Sequence, residues 1–218
     1  MPTDEAWVRE LLNRARRGEG QAWQQLLEAS RNYLALLARV QIDRRLQGKV
    51  TPSDIVQETF VAAFRSLGRF SGTTVEEWLA WLRRIMAHRL AHAARRFLLA
   101  RGRDVRLEQE WDQEMDESSH RMVAIASPQS TPSKQAMRLE EARLLADVLS
   151  RLPVHYQEVI IARHLEQPSF PEVAARMGQS EAAVKKTWAR ALAALRRAWR
   201  EDCNDSTRTG SQHAGFPK

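Results

Sequence analysis

The chain has 218 residues, enough for one large domain or two small ones, and 43% of them are apolar, which suffices for cores. No apolar run approaches the roughly 18 residues of a membrane-spanning helix. The opening "MPTDEAWVRE" carries acids where a secretory signal would carry Lys or Arg before an apolar stretch, so a cytoplasmic protein is expected. The formal charge of +7 favours a polyanion partner, and the single cysteine, Cys203, excludes an intrachain disulfide and a cysteine-rich zinc site.

Strand-like alternation is absent, and the periodicity predicts helices near 4–17, 20–46, 53–67, 75–98, 135–150, 154–166, 170–177 and 181–200. Residues 1–19 read as an N-terminal helical extension, punctuated by Gly18 and Gly20. A first domain is expected over 20–98, with 12 Lys/Arg against 6 Asp/Glu. Within it, "TPSDIVQETFVAAFR" opens as a helix should, with Pro52 in the first turn and Ser53 or Asp54 as cap. Val56, Phe60, Phe64 and Leu67 recur at helical spacing, with Ala63 beside them, and are expected to face the core. Asp54, Gln57, Glu58, Val61 and Arg65 fall on the opposite side. On a basic chain, that face is either a solvated surface or a docking surface for a basic partner.

"RFSGTT" is expected to be a loop, and residues 70–77 can cradle an extruded base. In the next helix, Trp78, Leu82, Ile85 and Arg89 share one face, and Trp81, Arg84, His88 and His92 share another. Between Glu77 and Asp104 there is no acid, while Arg83, Arg84, Arg89, Arg95, Arg96, Arg101 and Arg103 are all present. Aromatic rings beside such cations can stack on unpaired bases while the cations hold phosphates. Core packing is the alternative for Trp78 and Trp81, and at least one of them is expected to be core. His88 and His92 have the spacing of two helical zinc ligands, but no third ligand stands nearby, so no metal is expected.

Residues 99–136, with 5 Lys/Arg against 7 Asp/Glu and a Ser/Pro-rich "ASPQSTPSKQ", read as a linker in which Trp111 and Met115 can dock as a short turn. A second domain is expected over 137–200, with 11 Lys/Arg against 7 Asp/Glu, followed by a disordered tail over 201–218. Its "FPEVAARMGQSEAAVKKTWARALAALRR" is a short helix, a glycine turn at Gly178, an N-cap at Ser180 and a second helix. Val184, Trp188, Ala191 and Leu195 point inward; Glu181, Ala182, Lys185, Lys186 and Ala189 point outward, flanked by Arg190. That is the helix-turn-helix pattern, whose second helix enters a DNA major groove; an ordinary αα-hairpin with a basic surface is the alternative. No glycine-rich phosphate loop, nucleophile elbow or carboxylate pair suggests an enzyme, and no cofactor is expected.

Three motifs, "SDIVQETFVAAFRSLGRF" (53–70), "WLAWLRRIMAHRLAHAARR" (78–96) and "FPEVAARMGQSEAAVKKTWARALAALR" (170–196), together resemble the bacterial sigma-70 family, in its two-domain extracytoplasmic-function (ECF) group. The resemblance implies an all-α fold: two small helical domains joined by a flexible linker, the C-terminal one a helix-turn-helix domain. It implies a non-enzymatic RNA polymerase sigma factor that binds core RNA polymerase and promoter DNA and is commonly held by an anti-sigma factor or other regulator. Asp54, Gln57 and Glu58 match the face that docks on the clamp helices of the polymerase's largest subunit. Phe70, Ser71, Gly72, Thr73 and Thr74 match the loop that receives a flipped −10 base, and Trp81, Arg84, His88, Arg89 and His92 the helix along the −10 strand. Ser180, Glu181, Ala182, Lys185, Lys186 and Arg190 match the −35 recognition helix. Three positions depart: His88 stands where the family usually has Asn, Ser71 where Arg is common, and Trp188 where Arg is frequent, which moves that position toward packing. A stand-alone helix-turn-helix regulator is the alternative function.

Overall fold

The computed structural model describes residues 5–46, 48–97, 105–126, 137–166 and 168–210, and every regular element among them is helical. The all-α fold class read from the sequence holds. Helix α1 (Glu5–Arg16) buries Val8, Leu11, Leu12 and Ala15 and packs against α2 (Gly20–Arg45), so the stretch expected as an extension lies on the helix that follows it. Helix α3 (Pro52–Ser66) continues into a 3-10 turn at Leu67–Arg69, and α4 (Val75–Phe97) follows the loop. Trp78 is the keystone of this half. It is 1% exposed, lies 5.9 Å from Trp23, and satisfies its indole N–H by donating to the Ser30 hydroxyl at 3.0 Å. An aromatic of that size adds its full apolar area to the core only because its one polar atom is paired.

Helix α3 departs from the expected stripe. Ile55, Val56, Thr59 and Ala63 are buried, Phe60 and Leu67 are partly buried, and Phe64 is 64% exposed. Both stripes satisfy a 3.6-residue period, but the observed one begins a residue earlier and accepts Thr59, whose hydroxyl donates back to the Ile55 carbonyl at 2.7 Å. A buried polar residue that satisfies itself within the helix is invisible to an apolar count.

Part of the expected tether is a helix. Over Val105–Ala126 the chain forms α5, which packs on α4 and on α6 (Met137–Ser150). Trp111, Met115, Ser118, Ser119 and Met122 are buried along it at i, i+4, i+7, i+8 and i+11, and no Gly or Pro interrupts the segment. Burying a residue such as Met115 contributes roughly 1.5–3 kcal/mol relative to exposure, enough to hold an acid-rich helix in place. The Ser/Pro-rich stretch 127–136 lies outside the described residues.

The second half is α6, α7 (Val154–Ile160) with a π turn over Ile161–Glu166, α8 (Phe170–Met177) and α9 (Glu181–Gly210). Helix α9 runs ten residues past its expected end, into the stretch read as a disordered tail. No Gly or Pro breaks it before Gly210, Trp199 packs against the core, and Asp202 pairs with Arg151. Residues 211–218 lie outside the described residues.

The two halves meet through polar as well as apolar contacts. Asn32 of α2 donates to Asp147 of α6 at 2.8 Å, Tyr33 hydrogen-bonds Ser119 of α5 at 2.8 Å, and Arg83 of α4 pairs with Asp116 of α5 at 2.5 Å. Burial opposes the charge on Arg83, but the hydrogen-bonded Asp116 carboxylate, with Asp112 nearby, favours it and the guanidinium stays ionised. Arg143, buried in α6, reaches the Ala29 carbonyl of α2 as well as Asp147.

Candidate nucleic-acid interface

Three exposed surfaces carry the residues singled out from the sequence. On α3, Thr51 and Asp54 form a reciprocal capping box: the Thr51 hydroxyl accepts from the Asp54 N–H at 3.2 Å, and the Asp54 carboxylate accepts from the Thr51 N–H at 3.2 Å and its hydroxyl at 2.7 Å. The Thr51 hydroxyl and N–H hold Asp54 below the usual carboxylate range. Gln57 and Glu58 stand exposed one turn on. Below them, Val61 is 46% exposed and Phe64 64%. The face is therefore acidic and amidic at its N-terminal end and apolar at the other.

The second surface is the loop before α4. Phe70 lies 5.4 Å from Trp78 and 5.0 Å from Trp81, and the two tryptophans are 5.3 Å apart. The Glu77 carboxylate accepts from the Thr73 N–H at 2.6 Å and the Thr74 N–H at 3.1 Å, while the Thr74 hydroxyl accepts from the Glu77 N–H at 3.2 Å. Those two amides hold Glu77 below the usual carboxylate range. Ser71 and Thr73 are exposed; Gly72 and Thr74 are half-buried. From α1, Arg16 donates to the Ser71 carbonyl at 2.9 Å and to the Gly72 carbonyl.

Along α4, Arg84 and His92 are exposed on the face expected from the spacing, whereas Trp81 is half-buried against the core and Arg89, on the face shared with the buried Trp78 and Leu82, is half-buried as well. His88 is different. Its Nδ1 lies 3.0 Å from the Glu108 carboxylate of α5, and Arg95 lies 3.6 Å from the same oxygen. Among the described residues, no three His, Cys, Asp or Glu side chains gather around a possible metal position.

The third surface is the start of α9. Helix α8 opens on a Ser169/Glu172 capping box and closes on Gly178 at φ 63, the left-handed conformation that Gly adopts without a Cβ penalty. The Ser180 hydroxyl then accepts from the Ala183 N–H at 3.2 Å. Glu181, Ala182, Lys185, Lys186 and Arg190 are all exposed, while Val184, Ala191 and Leu195 are buried. Lys185 pairs with Glu181 at 2.6 Å. Trp188 turns inward: its indole N–H donates to His164 Nε2 at 2.9 Å, and Phe170 meets it edge-on at 5.4 Å. Burial, with Arg163 and Arg196 nearby, holds His164 below its ordinary value, so the ring stays neutral and accepts that bond.

Residues 142–195, spanning α6 to the middle of α9, match the family described as Sigma-70, region 4. The RNA polymerase sigma factor NccH of Alcaligenes xylosoxydans xylosoxydans is 30% identical over 200 residues, which cover 88% of this chain and 95% of NccH. This chain belongs to the sigma-70 family, in its ECF group. The ECF RNA polymerase sigma factor BldN of Streptomyces coelicolor is 28% identical over 202 residues, covering 92% of this chain and 69% of BldN. A probable RNA polymerase sigma factor, RfaY of Xanthomonas campestris, is 29% identical over 196 residues, and this sigma factor spans only 44% of the length of that relative.

Sequence reasoning misplaced or missed three residues that shape these surfaces, and placed a fourth, Glu77, in the loop without its capping role. Phe64 was assigned to the core. Glu77 was legible, because Thr74-x-x-Glu77 is a capping-box signature. Arg16 and Glu108 had no local signal: each acts on a segment far along the chain, and only the tertiary fold brings them there.

Proposed function

We propose that this sigma factor binds core RNA polymerase through the exposed α3 face at Asp54, Gln57 and Glu58, the basic partner being the clamp helices of the largest subunit. The loop Phe70–Thr74 and the α4 residues Trp81, Arg84, His88, Arg89 and His92 capture unpaired −10 bases and hold the strand's phosphates. Ser180, Glu181, Ala182, Lys185, Lys186 and Arg190 read the −35 duplex from the major groove. The function is binding, carried out in the cytoplasm with polymerase, and the chain itself catalyses no step. The observation that carries this reading is the pairing, in one chain, of an exposed acidic face on α3 with a helix-turn-helix whose second helix presents its first turns to solvent. A stand-alone DNA-binding regulator needs no such α3 face.

Selective initiation by core polymerase on a promoter library, dependent on added sigma factor, is the expected outcome; its absence refutes the proposal. Capture of core polymerase by wild type but not by Gln57→Ala/Glu58→Ala separates the sigma reading from the stand-alone regulator. These two positions serve better than Asp54, whose carboxylate also caps α3. Removing that cap alone costs about 1 kcal/mol of helix stability.

A further inference from the structure

The loop before α4 is held from three directions. From inside, Gly72 is pressed so closely that a Cβ there would lie 2.5 Å from the Phe70 ring and 2.8 Å from the Glu77 Cβ. From the following helix, Glu77 takes the Thr73 and Thr74 amides. From α1, fifty-five residues earlier in the chain, Arg16 takes the Ser71 and Gly72 carbonyls with one guanidinium nitrogen. Two of these restraints are internal to the loop and its helix. The third ties it to an element outside the matched motifs. A planar guanidinium offers donors in a fixed geometry, so it restrains the direction of the carbonyls as well as their position.

We propose that Arg16 is a positioning residue for base recognition, fixing the Ser71–Gly72 backbone so that the loop presents one donor and acceptor pattern to an extruded base. This rests on the reading of residues 70–77 as the base-capturing loop. The Ser71 and Gly72 carbonyls, engaged by Arg16, and the Thr73 and Thr74 amides, engaged by Glu77, are committed to the protein. Selectivity then falls to what the loop holds toward solvent, including the exposed Ser71 and Thr73 side chains. Hydrogen-bond readout falls off steeply with angle and distance, so a loop released at Ser71–Gly72 discriminates less between bases even while every side chain that reads them is still present. Arg16 is itself exposed, and its replacement leaves no buried charge behind.

The test uses the full chain bound to core polymerase, titrated with fluorescent single-stranded −10 oligonucleotides carrying each of the four bases at each unpaired position. Arg16→Ala is expected to reduce the preference at the captured position by about threefold to tenfold, the range of a single ordinary hydrogen bond. Preferences at the other positions and duplex −35 binding remain as in wild type. Arg16→Lys, which keeps the cation but loses the planar geometry, recovers only part of the preference. A uniform weakening at every position means that Arg16 contacts phosphate and overturns positioning. Wild-type selectivity in Arg16→Ala, alongside altered selectivity in Thr73→Ala, overturns the role of Arg16 while leaving the loop's role standing. If neither variant alters selectivity, the base-capture reading fails and this proposal fails with it.

Discussion

At the scale of single residues, two glycines show how the same residue type serves different physical needs. Gly178 was read as a helix terminator with positive φ, and it is one: φ is +63 and nothing lies within 4 Å of a Cβ there. Its cost to Ala is conformational, about 1–2 kcal/mol. Gly72 was read as a turn former, but its constraint is space, because the Phe70 ring and Glu77 stand where a Cβ would be. Gly72→Ala must push Phe70 off Trp78 and Trp81, at a cost of about 1–3 kcal/mol for overpacking. Denaturant titrations will show both variants destabilised. Only Gly72→Ala is expected to change the native tryptophan fluorescence, since only its neighbours include the Trp78–Trp81 pair. Gly178 was legible because left-handed caps have a local signature, whereas close packing around Gly72 depends on a ring that folds back from two residues away.

At the scale of the element, α3 shows where periodicity stops deciding. Val56–Phe60–Phe64–Leu67 and Ile55–Thr59–Ala63 are both helical stripes, and the first is the more apolar. The fold buries the second together with Val56. Aromatic size misled the sequence reading: Phe64 looks like core by composition, yet it stands beside Val61 on the face that also carries Gln57 and Glu58. The two assignments predict opposite mutational outcomes. Phe64→Ser should change folding stability by no more than about 0.5 kcal/mol, as exposed substitutions do. Ile55→Ala should cost about 2–5 kcal/mol, as buried large-to-small changes do. Thermal and urea denaturation of the two variants decide between the stripes. The helix-turn-helix was read more completely, because its inward and outward positions differ in polarity throughout: Val184, Ala191 and Leu195 against Glu181, Lys185 and Lys186.

At the scale of the whole molecule, the acid-rich segment read as a tether is a helix laid against the basic α4. Its acids hid its apolar stripe, since Trp111, Met115 and Met122 are diluted by Glu108, Glu110, Asp112, Glu114, Asp116 and Glu117. Among those acids, Asp116 pairs with Arg83 of α4, and Glu108 sits between His88 and Arg95. His88 belongs to the track proposed for the −10 strand, so in this arrangement a carboxylate occupies a position a phosphate would need. Docking of α5 and the proposed binding of the strand then draw on the same residue, His88. Glu108→Gln should raise the affinity of the free chain for a single-stranded −10 oligonucleotide by about twofold to fivefold at low ionic strength, the value of one partly exposed ion pair. The difference should shrink as salt screens the partners. Glu117→Gln removes the same charge from α5, but Glu117 pairs with Arg121 within its own helix, so it should gain distinctly less in fluorescence anisotropy titrations. Equal gains in the two variants would assign the effect to net charge and refute a competition at α4. With core polymerase bound, the advantage of Glu108→Gln should vanish if engagement already draws α5 away from α4, and persist if α5 stays docked. The same pair of variants therefore reports whether closure of the two halves is a feature of the free chain alone.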